Sequence, residues 1–240
     1  MTDTLIEARG MSAGYGKMPV VRQVDLRVDA GEVVALIGAN GAGKTTTLLA
    51  LAGELAPMEG EVRFLVEPTT APMHARCRNG LGYVTEERSV IMDMSVGDNL
   101  RLAAVAPAVA FDYFPALEPI MDRRAGLCSG GEQQMLSLAR ALGRHPKVLL
   151  ADELSLGLAP IIVTNLLKAV RAAADERGVG VLLVEQHVRQ ALKIADRVHV
   201  MVRGHITLSG TSEEVFGQLD KIEAAYLAGG PASGAAQERP

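Results

Sequence analysis

An apolar run, Val33 to Ile37, opens directly onto Gly38-Ala39-Asn40-Gly41-Ala42-Gly43-Lys44-Thr45-Thr46, and Thr47 to Ala52 continue in residues that suit a helix. This order constrains the fold more than any other stretch of the chain. A strand, a loop of the pattern G-x-x-x-x-G-K-[ST] and a helix, in that sequence, form a phosphate-binding loop. The glycines let successive backbone N–H groups converge on phosphate oxygens, and the following helix N-terminus adds roughly half a positive charge. Lys44 has the charge to neutralise β- and γ-phosphates, and Thr45 offers a hydroxyl to Mg²⁺, a hard cation that wants oxygen ligands. Gly38, Asn40, Gly41, Ala42, Gly43, Lys44, Thr45 and Thr46 are therefore the candidate nucleotide contacts.

Two further runs, Val148 to Ala151 and Val181 to Val184, are also about one strand long and lack polar alternation. Such runs suit parallel strands buried on both faces. Between them, Pro160 to Arg177 reads as a helix: Pro160 suits its first turn, Leu166, Leu167, Val170 and Ala174 recur at helical spacing, and Gly178 can end it. The pattern predicts an α/β fold with a mostly parallel core sheet. Leu5 to Arg9, Val24 to Val28 and Glu61 to Val66 alternate apolar with polar residues, which predicts a flanking antiparallel sheet. From about 87 to 127 the periodicity weakens, and Pro107, Pro115 and Pro119 are expected to break helices. An inserted helical subdomain, about 87–145, is expected inside a single domain of residues 1–227, with 228–240 as a flexible tail.

The chain of 240 residues, 48% hydrophobic, is long enough for one large core. A net charge of -4 and the lack of any Lys/Arg run argue against a nucleic-acid partner. The longest nearly uncharged stretch, Leu102 to Phe111, is interrupted by Pro107 and is about half of the roughly 20 residues a membrane-spanning helix needs. Asp3 and Glu7 stand where an export signal would be basic and then apolar, so a location inside the cell is expected. Cys77 and Cys128 are too few for a disulfide framework or a four-ligand zinc site, and His145, His199 and His205 have no ligand spacing.

In parallel sheets ligands collect beyond the carboxyl ends of the strands. Val148 to Ala151 runs straight into Asp152-Glu153. Asp152 is a candidate for the Mg²⁺ shell, and Glu153 for orienting or deprotonating a water beside the γ-phosphate. Cys128-Ser129-Gly130-Gly131-Glu132-Gln133-Gln134 precedes a helix to about Gly143. Ser129 and Glu132 can form a capping box, while two glycines in a first turn leave N–H groups open to an anion. Both readings stand at this point.

Taken together these residues resemble the ATP-binding cassette of ABC transporters, over essentially residues 5 to 227. In that likeness the glycine loop is Walker A, Ser129 to Gln134 the signature, Val148 to Glu153 Walker B, and Ser155-Leu156-Gly157-Leu158 the D-loop. The resemblance implies ATP and Mg²⁺ as cofactors. It also implies a head-to-tail pair of cassettes, homo- or heterodimeric, in which Ser129, Gly130 and Gly131 contact ATP held by the partner's phosphate loop. Tyr15 matches the residue that stacks on adenine. Glu86 stands where most members have Gln and is expected near Mg²⁺ or its water. The family register puts Gln186 at the γ-phosphate sensor, with His187, one residue later, as the alternative. Cys128 and Leu154 replace the usual Leu and Pro, and neither change removes a group expected to touch phosphate.

More narrowly, Asp152 to Pro160, Val184-Glu185-Gln186 and Ser129 to Leu136 look most like the branched-chain amino acid importer ATPases, in particular the cassette with Gln at the switch. That likeness implies integral membrane permease partners and a place on the cytoplasmic face of the membrane. The other reading is a regulatory or non-transport ABC ATPase with weak or no turnover. No coiled-coil insertion or second cassette favours a DNA-repair or translation role, and no N-K-x-D element favours a GTPase.

Overall fold

The computed structural model describes residues 3–218. The expected tail lies outside them. β1 (Thr4–Tyr15) and β2 (Met18–Asp29) form a long hairpin, with Tyr15 opposite Met18 at its tip. β3 (Val33–Ile37) leads through the glycine loop into α1 (Lys44–Ala52), and β4 (Glu59–Phe64) and the short β5 (Glu67–Pro68) complete a four-stranded antiparallel sheet in the order β2-β1-β4-β5. All three expected flanking strands have shifted bounds, the second starting at Met18 and ending at Asp29 where Val24 to Val28 was expected. The first continues past Arg9 because register shifts between Ala8 and Met11 absorb Gly10, at φ 52, without ending the ladder. The third stops at Phe64 because Leu65 and Val66, at φ 52 and 76, turn the chain into β5.

α2 (Met73–Arg78) and β6 (Leu81–Val84) follow, then α3 (Val96–Leu102), α4 (Pro107–Tyr113), 3-10 turns at Pro115–Ile120 and Ala125–Leu127, and α5 (Gly130–Leu142). Here the prolines start elements more than they break them. Pro107 and Pro115 occupy first-turn positions, where no N–H is needed, and Pro119 lies within the 3-10 turn. β7 (Val148–Asp152), α6 (Pro160–Arg177), β8 (Gly180–Glu185), α7 (Val188–Ala191), β9 (Arg197–Val202), β10 (His205–Thr211) and α8 (Ser212–Phe216) complete the described chain.

The second sheet has six strands in the order β10-β9-β3-β8-β7-β6, parallel throughout except for the β9–β10 hairpin. Successive side chains of a strand face opposite ways, which explains the unbroken apolar runs. Val33, Ala35 and Ile37 pack with residues of α5 and α6, while Val34 and Leu36 pack against the antiparallel sheet and α1. With both faces covered, β3, β7 and β8 deliver their carboxyl ends side by side at one edge. Ile37 pairs with Glu185, and Asp152 with Val184.

Candidate functional site

The loop after β3 begins and ends at glycines for reasons that packing makes explicit. A Cβ at Gly38 would meet the Met201 carbonyl oxygen at 2.6 Å, and one at Gly43, φ 109, would meet Val21 Cγ1 at 2.5 Å. The loop thus presses against β9 and β2, and Ala42 O accepts from Gly204 N at 2.8 Å. Gly43 caps the N-terminus of α1 without a side chain, so the dipole end of that helix faces the loop.

Lys44 is only 4% exposed. Its Nζ donates to Gly38 O at 2.9 Å and Ala39 O at 3.3 Å, and lies 3.3 Å from Glu153 Oε1. Burial of an ammonium is tolerable because these acceptors surround it. Glu153 follows the end of β7 in a left-handed conformation, φ 48, that side chains with a Cβ adopt rarely, and its N–H donates to Val184 O at 2.9 Å.

Asp152, the last residue of β7, is 1% exposed, and its Oδ1 has no hydrogen-bond partner among the described residues. Burial pushes its carboxyl up to about 6, opposed by a hydrogen bond from Thr45 and reinforced by Glu153 and Glu86. A buried carboxylate oxygen without a donor, beside a Thr hydroxyl, offers oxygen ligands of the kind a hard divalent cation takes, while among the described residues no three His, Cys, Asp or Glu side chains gather as a complete metal site.

A cavity of about 330 Å³ collects Asn40, Gly41, Gly43, Lys44, Thr45, Thr46, Glu86 and Glu153. Residues predicted from three separate stretches of sequence therefore share one mouth. Tyr15 lies outside it at the tip of the first hairpin, 56% exposed, as an aromatic face open to a ligand or a partner would be. Gln186 is half-buried just past β8, and His187 is exposed at the N-cap position of α7 without a side-chain cap bond.

Ser129, Gly130 and Gly131 do not line this cavity. They form the start of α5, where the capping box is fully made. Ser129 Oγ accepts from Glu132 N at 3.3 Å, and Ser129 N donates to Glu132 Oε2 at 2.7 Å. Ser129 is nonetheless exposed. Arg88 packs on this turn, with Nη1 3.4 Å from Gln133 Oε1 and 3.0 Å from where a Gly130 Cβ would sit. Cys128 is 8% exposed, with Sγ donating to Arg124 O at 3.5 Å, and burial pushes its thiol up. That is the environment of a packing residue.

The profile of the ABC transporter family matches residues 21–155, more than half of the chain, from β2 through the phosphate loop and the start of α5 to Ser155. The chain belongs to the ABC transporter family. The high-affinity branched-chain amino acid transport ATP-binding protein BraG of Pseudomonas aeruginosa is 39% identical, over 91% of this cassette and 97% of the relative. The probable branched-chain amino acid transport ATP-binding protein LivF of Archaeoglobus fulgidus is 34% identical, over 85% and 91%. The lipopolysaccharide export system ATP-binding protein LptB of Acidithiobacillus ferridurans is 35% identical, over 88% and 92%. Among solved structures, an ATP-binding subunit of an ABC transporter superposes with a TM-score of 0.80 at 26% identity, over 93% of this cassette and 99% of that chain. The protein is thus an ATP-binding, ATP-hydrolysing cassette with the α/β P-loop fold. Among the described residues, no helix is long and apolar enough to cross a membrane.

Sequence reasoning passed over several residues that shape the site. Glu185 is 1% exposed and takes two hydrogen bonds from Ser155. Arg76, 2% exposed, bonds the carbonyls of Ala50 and Leu51 and so closes the C-terminal end of α1. Nothing in a linear pattern marks either contact. The β9–β10 hairpin did carry a signal, because Arg203-Gly204 is a two-residue loop with φ 48 and 83, a turn that favours glycine second.

Proposed function

We propose that this cassette powers an importer of branched-chain or related amino acids, docked on integral membrane permease subunits at the cytoplasmic face and working as a pair of cassettes. The observation that supports the chemistry best is the shared mouth of Lys44, Thr45, Glu86 and Glu153, with the Asp152 oxygen, unpartnered among the described residues, at the end of β7 just before Glu153. In this reading the phosphate loop and Lys44 hold the phosphates of ATP, and the exposed Tyr15 ring stacks on adenine. Thr45, Asp152 and Glu86 would hold Mg²⁺ directly or through water. Bound there, Mg²⁺ supplies a compact positive charge against the β- and γ-phosphate oxygens. Glu153 orients the attacking water and accepts its proton. Gln186, rather than the outward His187, senses the γ-phosphate, because it lies half-buried at the end of β8, whose backbone adjoins both β3 and β7.

Two features support a paired arrangement. Ser129, Gly130 and Gly131 lie outside the cavity of their own chain, with Ser129 exposed. A related cassette of the same fold, 20% identical with a TM-score of 0.77, is described as a dimer in a post-hydrolysis state with ADP and Pi. In the paired reading the start of α5 meets ATP on the partner cassette. A groove of about 1350 Å³, lined in part by Thr85, Ser89, Arg140 and Arg144, begins beside Glu86 and gives a permease segment a place to act on the site.

Amino acid import rests on the BraG and LivF likeness, and lipopolysaccharide export is the second reading because LptB relatives reach 35% identity. Cells lacking the chain are expected to lose uptake of labelled leucine, isoleucine and valine. Wild type restores it and Glu153→Gln does not, and the purified Glu153→Gln protein elutes as a dimer in Mg·ATP. Normal uptake with a defect in lipopolysaccharide export would move the assignment to the exporter. Steady turnover in Glu153→Gln would remove Glu153 from its role.

A further inference from the structure

Glu185 ends β8 as a carboxylate among the apolar side chains of the sheet, and it is 1% exposed. Burying a carboxylate is costly unless hydrogen bonds replace its water. Among the described residues, the bonds made to its side chain come from one residue: Ser155 N donates to Oε1 at 3.1 Å and Ser155 Oγ donates to Oε2 at 2.7 Å. Ser155 is itself 4% exposed and opens the loop that follows Glu153. Burial raises the Glu185 carboxyl, while the Ser155 bonds and the proximity of His187 act in the opposite direction.

The arrangement repeats one residue earlier. Val184 accepts the N–H of Glu153 at 2.9 Å through its carbonyl. Consecutive residues of β8 therefore hold the two ends of a three-residue turn, Glu153 by a backbone carbonyl and Ser155 by a carboxylate. Glu153 sits inside that clamp at φ 48, a conformation that is strained in a residue with a Cβ and persists only where neighbours enforce it. The residue after Glu185 is Gln186, so the same strand end carries the candidate sensor.

We propose that Glu185 is a positioning residue for hydrolysis: by gripping Ser155 it fixes the turn that aims Glu153 and ties the loop Ser155–Leu158 to the strand end bearing Gln186. This rests on Glu153 acting on the attacking water. It assigns Glu185 no contact with ATP. A misplacement of about 1 Å in a group that orients water can cost up to 100-fold in rate.

The test is steady-state Mg·ATP hydrolysis by the full-length chain, with kcat, KM and melting temperature measured for each variant. Glu153→Gln is the control, and turnover persisting there defeats the underlying assignment independently of the clamp. Glu185→Ala and Ser155→Ala are each expected to lower kcat roughly tenfold with KM for ATP within about twofold, and the double variant to lose little more than either, as coupled partners do. Glu185→Gln can keep both contacts, accepting from Ser155 N and donating to Ser155 Oγ, and is expected to hold kcat within about threefold of wild type. Equal loss in Glu185→Gln and Glu185→Ala would overturn positioning in favour of a role for the charge. Unchanged kcat in Glu185→Ala and Ser155→Ala, or losses that track KM and melting temperature, would overturn the proposal. Should Glu185→Ala fail to fold, Ser155→Ala against Glu185→Gln decides, because neither removes the bulk of the buried carboxylate side chain.

Discussion

The phosphate loop and the start of α5 are both glycine-rich helix N-termini, yet they are built in opposite ways. Around the loop, Asn40 and Thr45 are exposed, but the charged Lys44 and Glu153 are committed to other parts of the site. Lys44 is held by two carbonyls and Glu153, and Glu153 by β8. At α5 the polar groups satisfy one another locally through Ser129 and Glu132, and the turn faces outward. The first region concentrates unfavourable features, including a non-glycine residue at φ 48 and a carboxylate oxygen buried without a donor. The second is a relaxed cap. Such strain is what a site that does chemistry tolerates, whereas a surface that meets a partner must be stable alone.

The largest test of this contrast is Asp152→Asn. The native carboxyl keeps its proton up to about pH 6, whereas in the unfolded chain it releases it near the ordinary value of 3.8. Between those values the native state binds more protons, so stability falls as pH rises through the window and the full cost is present above pH 6. Asparagine does not titrate. The variant is expected to be more stable than wild type at neutral pH by up to about 3 kcal/mol, with the gain fading toward pH 3.8 and turnover lost. Denaturant titrations across that range check it, and a destabilised variant at neutral pH would break the claim that this region carries strain.

Lys44→Ala comes next. It removes the buried ammonium from Gly38 O, Ala39 O and Glu153 together, and is expected to weaken ATP binding about 100-fold, on the order of 2.7 kcal/mol, by calorimetry. Unchanged affinity would mean that the backbone cradle alone holds the nucleotide.

The same contrast explains how much of the molecule could be read from its sequence. β3, with Val33 to Ile37, and α6, with Pro160 to Arg177, were legible to the residue, because burial on both faces and end signals at Pro160 and Gly178 leave little choice. The placement of Lys44 and Thr45 at the start of α1 and of Asp152 and Glu153 at the end of β7 was legible because the motifs fix those positions relative to the strands. The clamp on Glu153 was not, since Ser155 and Glu185 are brought together only by the pairing of β7 with β8. Nor was the link between Arg88 and Gln133, which depends on left-handed backbone at Arg88 and Ser89, at φ 64 and 35, where no glycine signals it. The prolines misled because a proline that ends one helix and one that begins the next look alike until the chain direction of the neighbours is known.

The smallest effect separates the two readings of α5. Ser129→Ala removes the acceptor for Glu132 N, and Glu132→Ala removes the acceptor for Ser129 N, so each breaks one half of the same capping box. Each is expected to cost about 1 kcal/mol of stability, the usual worth of a helix cap. Only Ser129 would also face ATP on a partner cassette. Turnover and the ATP-dependent dimer are therefore expected to fall several-fold further in Ser129→Ala than in Glu132→Ala at matched melting temperature. Equal turnover in the two would reduce the serine to a cap, and the glycines after it would have to meet the partner's nucleotide through backbone N–H groups alone.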